Sequence, residues 1–140
     1  KKTMLFDPRE SIDFNGNTGP FIQYTYARIR SILRKAAEGG IEYGKVPQGV
    51  ALVAPEVALI KQLVDYAAVV RSAGENLSPA LIAQYVYDLA KSFNGYYHDH
   101  SILKEEREDV RAMRLALAEQ VALIISRGMR LLGIEVPERM

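Results

Sequence analysis

A chain of 140 residues, 49% apolar and 25% charged, is long enough for one domain with its own core. The absence of cysteine excludes disulfides, thiolate chemistry and cysteine metal sites, and a net charge of +1 excludes a uniformly basic glove around nucleic acid. No apolar run approaches the ~20 residues that cross a bilayer, and no secretory leader pattern is visible, so a cytoplasmic protein is expected.

The chain opens Lys1-Lys2-Thr3-Met4 rather than on an initiator methionine, which suggests a piece of a longer protein. Residues 1–19 read as a polar lead-in with Pro8, Gly16 and Gly19. A first long helix is expected from Pro20, because proline suits the opening of a helix. Within it Ile22, Tyr26, Ile29, Leu33 and Ala36 form a one-sided apolar stripe, and Gly39-Gly40 stops it. A loop runs on to Pro55, broken by Gly44, Pro47 and Gly49.

The second long helix opens at Pro55-Glu56, with Ile60, Leu63, Ala67 and Val70 expected inside, and ends near Gly74. The third has Ser78 at its N-cap and Pro79 behind it, and Ile82, Val86, Leu89, Phe93 and Tyr96 repeat the stripe. The fourth begins among acidic residues that suit a helix N-terminus, turns Val110, Met113, Leu117, Val121 and Ile124 inward, carries Arg127 and Arg130 near its far end, and closes at Gly133. No strand pattern competes, so the fold class is all-α, an antiparallel helical bundle.

Chemistry concentrates in Asn15 to Lys35, where a Gly/Asn loop meets a helix bearing aromatics and then arginines. Aromatic faces stack on unpaired bases and arginines neutralise phosphates. Tyr26 and Tyr96 fall on the apolar stripes and read as structural, whereas Tyr24 and Tyr97 fall off them and are the better stacking candidates. Arg28, Arg30 and Arg34 are candidate phosphate contacts, or simply a solvated face. His98-Asp99-His100 has too few partners for a zinc site and reads better as a helix-ending turn. Signatures of catalysis such as the P-loop, GxSxG and HExxH are missing, so no catalytic residue is expected. On the residues alone, a helical protein-interaction module and a small metalloprotein built on His98 and His100 stay open as alternatives.

Three blocks narrow the choice. NTGPFIQYTYARIRSILRK, ALIAQYVYDLAKSFNGYYHD and MRLALAEQVALIISRGMRLLGIEVPERM resemble, in order, the start, the third block and the terminal block of the C-terminal domain of arginyl-tRNA synthetases, and the ending LLGIEVPERM favours arginine over the related cysteine and glycine enzymes. The resemblance implies a helical anticodon-binding domain of the class I synthetase type, often called DALR, occupying residues 20–140 after a lead-in of 1–19 from an upstream domain. It implies arginine tRNA as partner, with no DNA and no membrane. It also implies no cofactor in this fragment, since ATP with magnesium belongs to an upstream catalytic domain whose HIGH and KMSK-type signatures are absent here. The parent would be an arginine–tRNA ligase, and the fragment alone would not catalyse. Matching of the motifs assigns anticodon contact to Asp13, Asn15, Gly16, Asn17, Thr18, Phe21, Tyr24, Tyr97 and Met140. The sequence departs from the family where Tyr26 replaces a usual histidine and where Phe21 stands at a position that is tyrosine in some relatives, which removes a hydroxyl and keeps a ring that can stack.

Overall fold

The computed structural model describes residues 7–14 and 16–140. The first six residues of the expected lead-in, and Asn15, lie outside the described residues. A single helical turn, α1 (Pro8–Ser11), precedes four long helices: α2 (Gly19–Glu38), α3 (Ala54–Glu75), α4 (Pro79–Asp99) and α5 (Glu108–Leu131). Among the described residues there is no strand.

Cross-contacts set the direction of each helix. Phe21 meets Tyr87 while Thr25 and Arg28 meet Asn94, so α2 and α4 run parallel. Tyr66 meets Tyr85 and Glu56 meets Tyr96, so α3 runs against α4. Gly128 lies under Val86 while Arg114 reaches the Ser101 carbonyl, so α5 also runs against α4. The result is an up-down-up-down bundle, with each helix packed antiparallel to the one before it in the chain order α3, α4, α5.

Local chemistry accounts for the element ends. Thr18 is the N-cap of α2: its Oγ1 accepts from the Phe21 N–H at 3.3 Å and donates to the Asp13 carbonyl. The helix thus begins at Gly19, one residue before Pro20. At its other end the Ile41 N–H returns to the Ala36 carbonyl at 2.9 Å, closing the helix at the Gly39-Gly40 stop. Ser78 occupies the N-cap of α4 but its side chain makes no capping bond.

The α2 and α4 stripes are buried throughout, with Ile29, Val86, Leu89 and Phe93 wholly out of water. Each such side chain contributes roughly 1.5–3 kcal/mol through burial. On α5, Met113, Leu117, Val121 and Ile124 are buried and Val110 is half-buried. The expected α3 stripe needs correction. Ala67 is exposed, and Ile60, Leu63 and Val70 are only half-buried; Glu56, Leu59 and Ala73 take the inner positions. The reason is that α3 is apolar on most sides, so its periodicity does not select a face, and a buried ion pair does.

That pair joins three elements. Arg114 Nε lies 3.0 Å from Glu56 Oε1, which also accepts from the Tyr96 hydroxyl at 2.9 Å. Glu56 Oε2 accepts the Val53 N–H at the start of α3. The Arg114 Nη1 bonds the Ser101 carbonyl and the Glu105 carboxylate at 2.8 and 2.9 Å. Every charge is met, which is the condition under which a buried ion pair is tolerable.

After α5 the chain turns at Gly133, whose φ of +75° is open to glycine at little cost. The Ile134 N–H returns to the Met129 carbonyl at 3.0 Å, and residues 134–140 then run back along α2.

Candidate nucleic-acid interface

Two adjoining hollows lie where α2, the end of α4 and the C-terminal tail meet. The first, about 510 Å³, is lined by Tyr24, Arg28, Arg34 and Lys35 of α2, by Tyr97 of α4, by Leu103, and by Arg139 and Met140 of the tail. The second, also about 510 Å³, is lined by Arg28, Asn94, Tyr97, His98, Ser101 and Lys104. Arg28 and Tyr97 belong to both and form the ridge between them.

The charge of these walls is one-sided. Among the described residues that line the two hollows, Arg28, Arg34, Lys35, Lys104 and Arg139 are cations, and none is Asp or Glu. A chain of net charge +1 thus concentrates positive charge on one concave surface, which raises the local concentration of an anionic ligand. Low-dielectric walls with paired aromatic faces suit unstacked bases beside neutralised phosphates.

The side chains are held in place. Arg28 donates through Nη1 to Asn94 Oδ1 at 2.7 Å, and Asn94 Nδ2 donates to the buried Thr25 hydroxyl at 2.7 Å. Thr25 in turn donates to the Phe21 carbonyl at 2.9 Å. The Arg28 guanidinium stands over the Tyr24 ring, 4.8 Å from its centroid, and Phe14 meets that ring edge-on at 6.0 Å. Tyr97 stacks on Phe93, with 6.1 Å between centroids and 6° between planes, so the core fixes its orientation.

Of the residues expected at the site, Tyr24, Tyr97, Met140, Arg28 and Arg34 converge on the first hollow. Phe21 does not join them: it is half-buried against Tyr87, 5.4 Å between centroids. Asp13, Gly16, Asn17 and Thr18 form the turn that leads into α2, next to Phe14 rather than in the lining. Arg30 lines neither hollow and is in an ion pair with Glu138. Asn94, Leu103, Lys104 and Arg139 line the hollows without having stood out in the sequence. For Arg139 a signal existed, a cation beside Met140. For Asn94 none did, since it depends on a contact across 66 residues.

His98 is exposed and lines the second hollow, while His100 stacks on Tyr96 at 5.0 Å and its Nδ1 lies 3.3 Å from the Tyr96 carbonyl oxygen at the end of α4. Among the described residues no three His, Cys, Asp or Glu side chains converge as metal ligands. Among the described residues no helix is long and apolar enough to cross a membrane.

The chain matches the DALR anticodon binding domain family over residues 22–140. It is 61% identical over 141 aligned residues to the arginine–tRNA ligase of Bacteroides fragilis, an alignment that takes in 100% of this chain and 24% of that protein. Against the arginine–tRNA ligase of Flavobacterium psychrophilum the identity is 52%, over 100% of this chain and 23% of that protein. The solved arginyl-tRNA synthetase of Thermus thermophilus superposes with a TM-score of 0.89 at 37% identity, covering 100% of this chain and 24% of that one. The chain therefore spans about a quarter of the length of the relatives it matches. Because the family match runs from the first turn of α2 through the tail that completes the hollow, the chain belongs to the DALR anticodon-binding domain family.

Proposed function

We propose that this chain recognises the anticodon loop of arginine tRNA on behalf of a cytoplasmic arginine–tRNA ligase. The parent protein would attach arginine to that tRNA with ATP and magnesium in a catalytic domain upstream in the same chain, and this 140-residue chain would bind without catalysing. On this reading residues 20–140 are the binding unit and residues 1–19 lead in from the rest of the protein.

The observation that carries the reading is the first hollow. It brings Tyr24 and Tyr97 within one wall system with Arg28, Arg34, Lys35 and Arg139, and Met140 closes its rim with a flexible apolar side chain. Single-stranded bases are read by such stacking surfaces, and phosphates set the register. Asp13, Gly16, Asn17 and Thr18 lie at the positive end of the α2 dipole, which suits contact with the RNA backbone.

The test is a titration of the full-length parent protein with arginine tRNA and with a tRNA carrying a substituted anticodon. The expected result is tighter binding of the first, weakened by Tyr24→Ala or Tyr97→Ala while circular dichroism is unchanged. Equal affinity for both tRNAs, indifferent to both substitutions, would overturn the reading.

A further inference from the structure

Four polar side chains of α2 form a single row: Gln23, Tyr26, Arg30 and Arg34, spaced by three, four and four residues. All four bond to the tail. Gln23 Nε2 donates to the Glu135 carbonyl at 2.8 Å, and Tyr26 donates its hydroxyl proton to Glu138 Oε1 at 3.1 Å. Arg30 Nε reaches Glu138 Oε2 at 2.7 Å, and Arg34 Nη1 reaches the Glu138 carbonyl at 3.0 Å. Three of the four bonds thus end on one residue, and the two residues that follow it, Arg139 and Met140, line the first hollow.

We propose that Glu138 is a positioning residue, a latch that seats the tail on α2 so that Arg139 and Met140 form one wall of the binding hollow. The inference rests on the anticodon-loop reading above and deepens it. It gives Arg30 and the Nη1 of Arg34 a task other than phosphate contact. Of the seven residues beyond Gly133, Val136 is half-buried against the core and Pro137 is half-buried, whereas Ile134, Glu135, Glu138, Arg139 and Met140 are exposed. Beyond that one apolar anchor, hydrogen bonds to a charged partner are what fix the last three residues, and a preordered wall removes the entropy cost of ordering it on binding. Glu138 does not line either hollow, so its carboxylate acts through its neighbours and not on the RNA.

The test is a double-mutant cycle on the full-length parent protein, reading the Kd for arginine tRNA. Glu138→Ala is expected to weaken binding about two- to fivefold, the range of an exposed but well-formed ion pair. It is also expected to quicken hydrogen exchange in residues 134–140 while exchange in α2 and α5 stays unchanged. The tip variant Arg139→Ala with Met140→Ala is expected to weaken binding, and adding Glu138→Ala to it should cost nothing further, because the latch then has nothing to position. Additive losses, an inert tip variant, or binding that Glu138→Ala leaves unchanged or tightens would overturn the proposal. Tyr24→Ala serves as the control: if it weakens binding while Glu138→Ala does not, only the latch fails, and if neither does, the anticodon-loop reading fails with it.

Discussion

Arg28 holds its guanidinium 4.8 Å above the Tyr24 ring, in place by virtue of Asn94. A cation over an aromatic face is attracted by the ring quadrupole, and under the proposed reading the guanidinium is a charged, planar neighbour of the ring on which a base would stack. The two residues therefore act together. Tyr24→Phe keeps the ring and is expected to leave tRNA affinity within about twofold, whereas Tyr24→Ala is expected to cost ~1–3 kcal/mol. Arg28→Ala is expected to lower by about one the slope of log Kd against log salt, the signature of one lost phosphate contact. Salt titrations of the three variants in the full-length protein check these outcomes.

The buried ion pair predicts a different pattern, in stability rather than binding. Glu56 is 1% exposed and Arg114 9%. Glu56→Ala removes the fully buried carboxylate, leaves Arg114 with Glu105 as its remaining ion-pair partner and strands the Tyr96 hydroxyl, and is expected to cost up to about 3–5 kcal/mol, read as a lower midpoint in urea or heat. Replacing both partners, Glu56→Leu with Arg114→Met, is expected to cost less than the sum of the single changes, since no charge remains at the fully buried end and the Glu105 carboxylate that loses Arg114 is partly open to water. Equal and additive losses would show that the pair is not coupled as its 3.0 Å geometry implies.

The same pair marks the limit of what the sequence tells. The α2 and α4 stripes are legible because each helix has one apolar face and one polar face, so period alone locates the core. In α3 that contrast is missing, and a glutamate occupies an inner position; only its arginine partner, 58 residues away, makes such burial tolerable. The site divides in the same way. Tyr24 and Tyr97 are visible as aromatics off the stripes. The tail's row of bonds to α2 is not, because each spans more than 100 residues and Gln23, Tyr26 and Glu138 carry no local pattern that pairs them.

Alkaline pH should unfold the bundle through its tyrosines. Burial, reinforced by Asp65 and Tyr66, pushes the Tyr85 phenol from 10.0 to about 12. Tyr96 is raised further still, first by burial and then by its hydrogen bond to Glu56. A folded value above the unfolded one means the stabilisation is fully present below pH 10 and is lost as pH rises toward 12 and beyond. Tyrosinate absorbance from these two phenols should therefore appear together with loss of helical circular dichroism, and Tyr85→Phe should blunt the transition. At acid pH the sign reverses. The hydrogen bond from Arg30 holds the Glu138 carboxyl below its ordinary 4.5, so its contribution is present above pH 4.5 and lost as pH falls further. Because that pair is exposed, hydrogen exchange in the tail should quicken there while the bundle persists.

The packing of α5 on α4 turns on Gly128. A Cβ built there would lie 2.3 Å from Val86 Cγ1 and 3.7 Å from Ile82 Cγ2. Two effects oppose each other in Gly128→Ala. Helix propensity favours alanine over glycine by about 1 kcal/mol. The overlap with Val86 forces a wholly buried, β-branched side chain off its place, and overpacking of this kind costs about 1–3 kcal/mol. Val86 has no flexible end to swing away, so the clash should win and Gly128→Ala should destabilise. Val86→Ala in the same chain should then recover much of the loss, because the new methyl enters the space the valine vacates. Urea denaturation of both single variants and the double variant measures the coupling. If Gly128→Ala were neutral or stabilising, the helices would have to separate at this crossing more easily than the 2.3 Å approach allows.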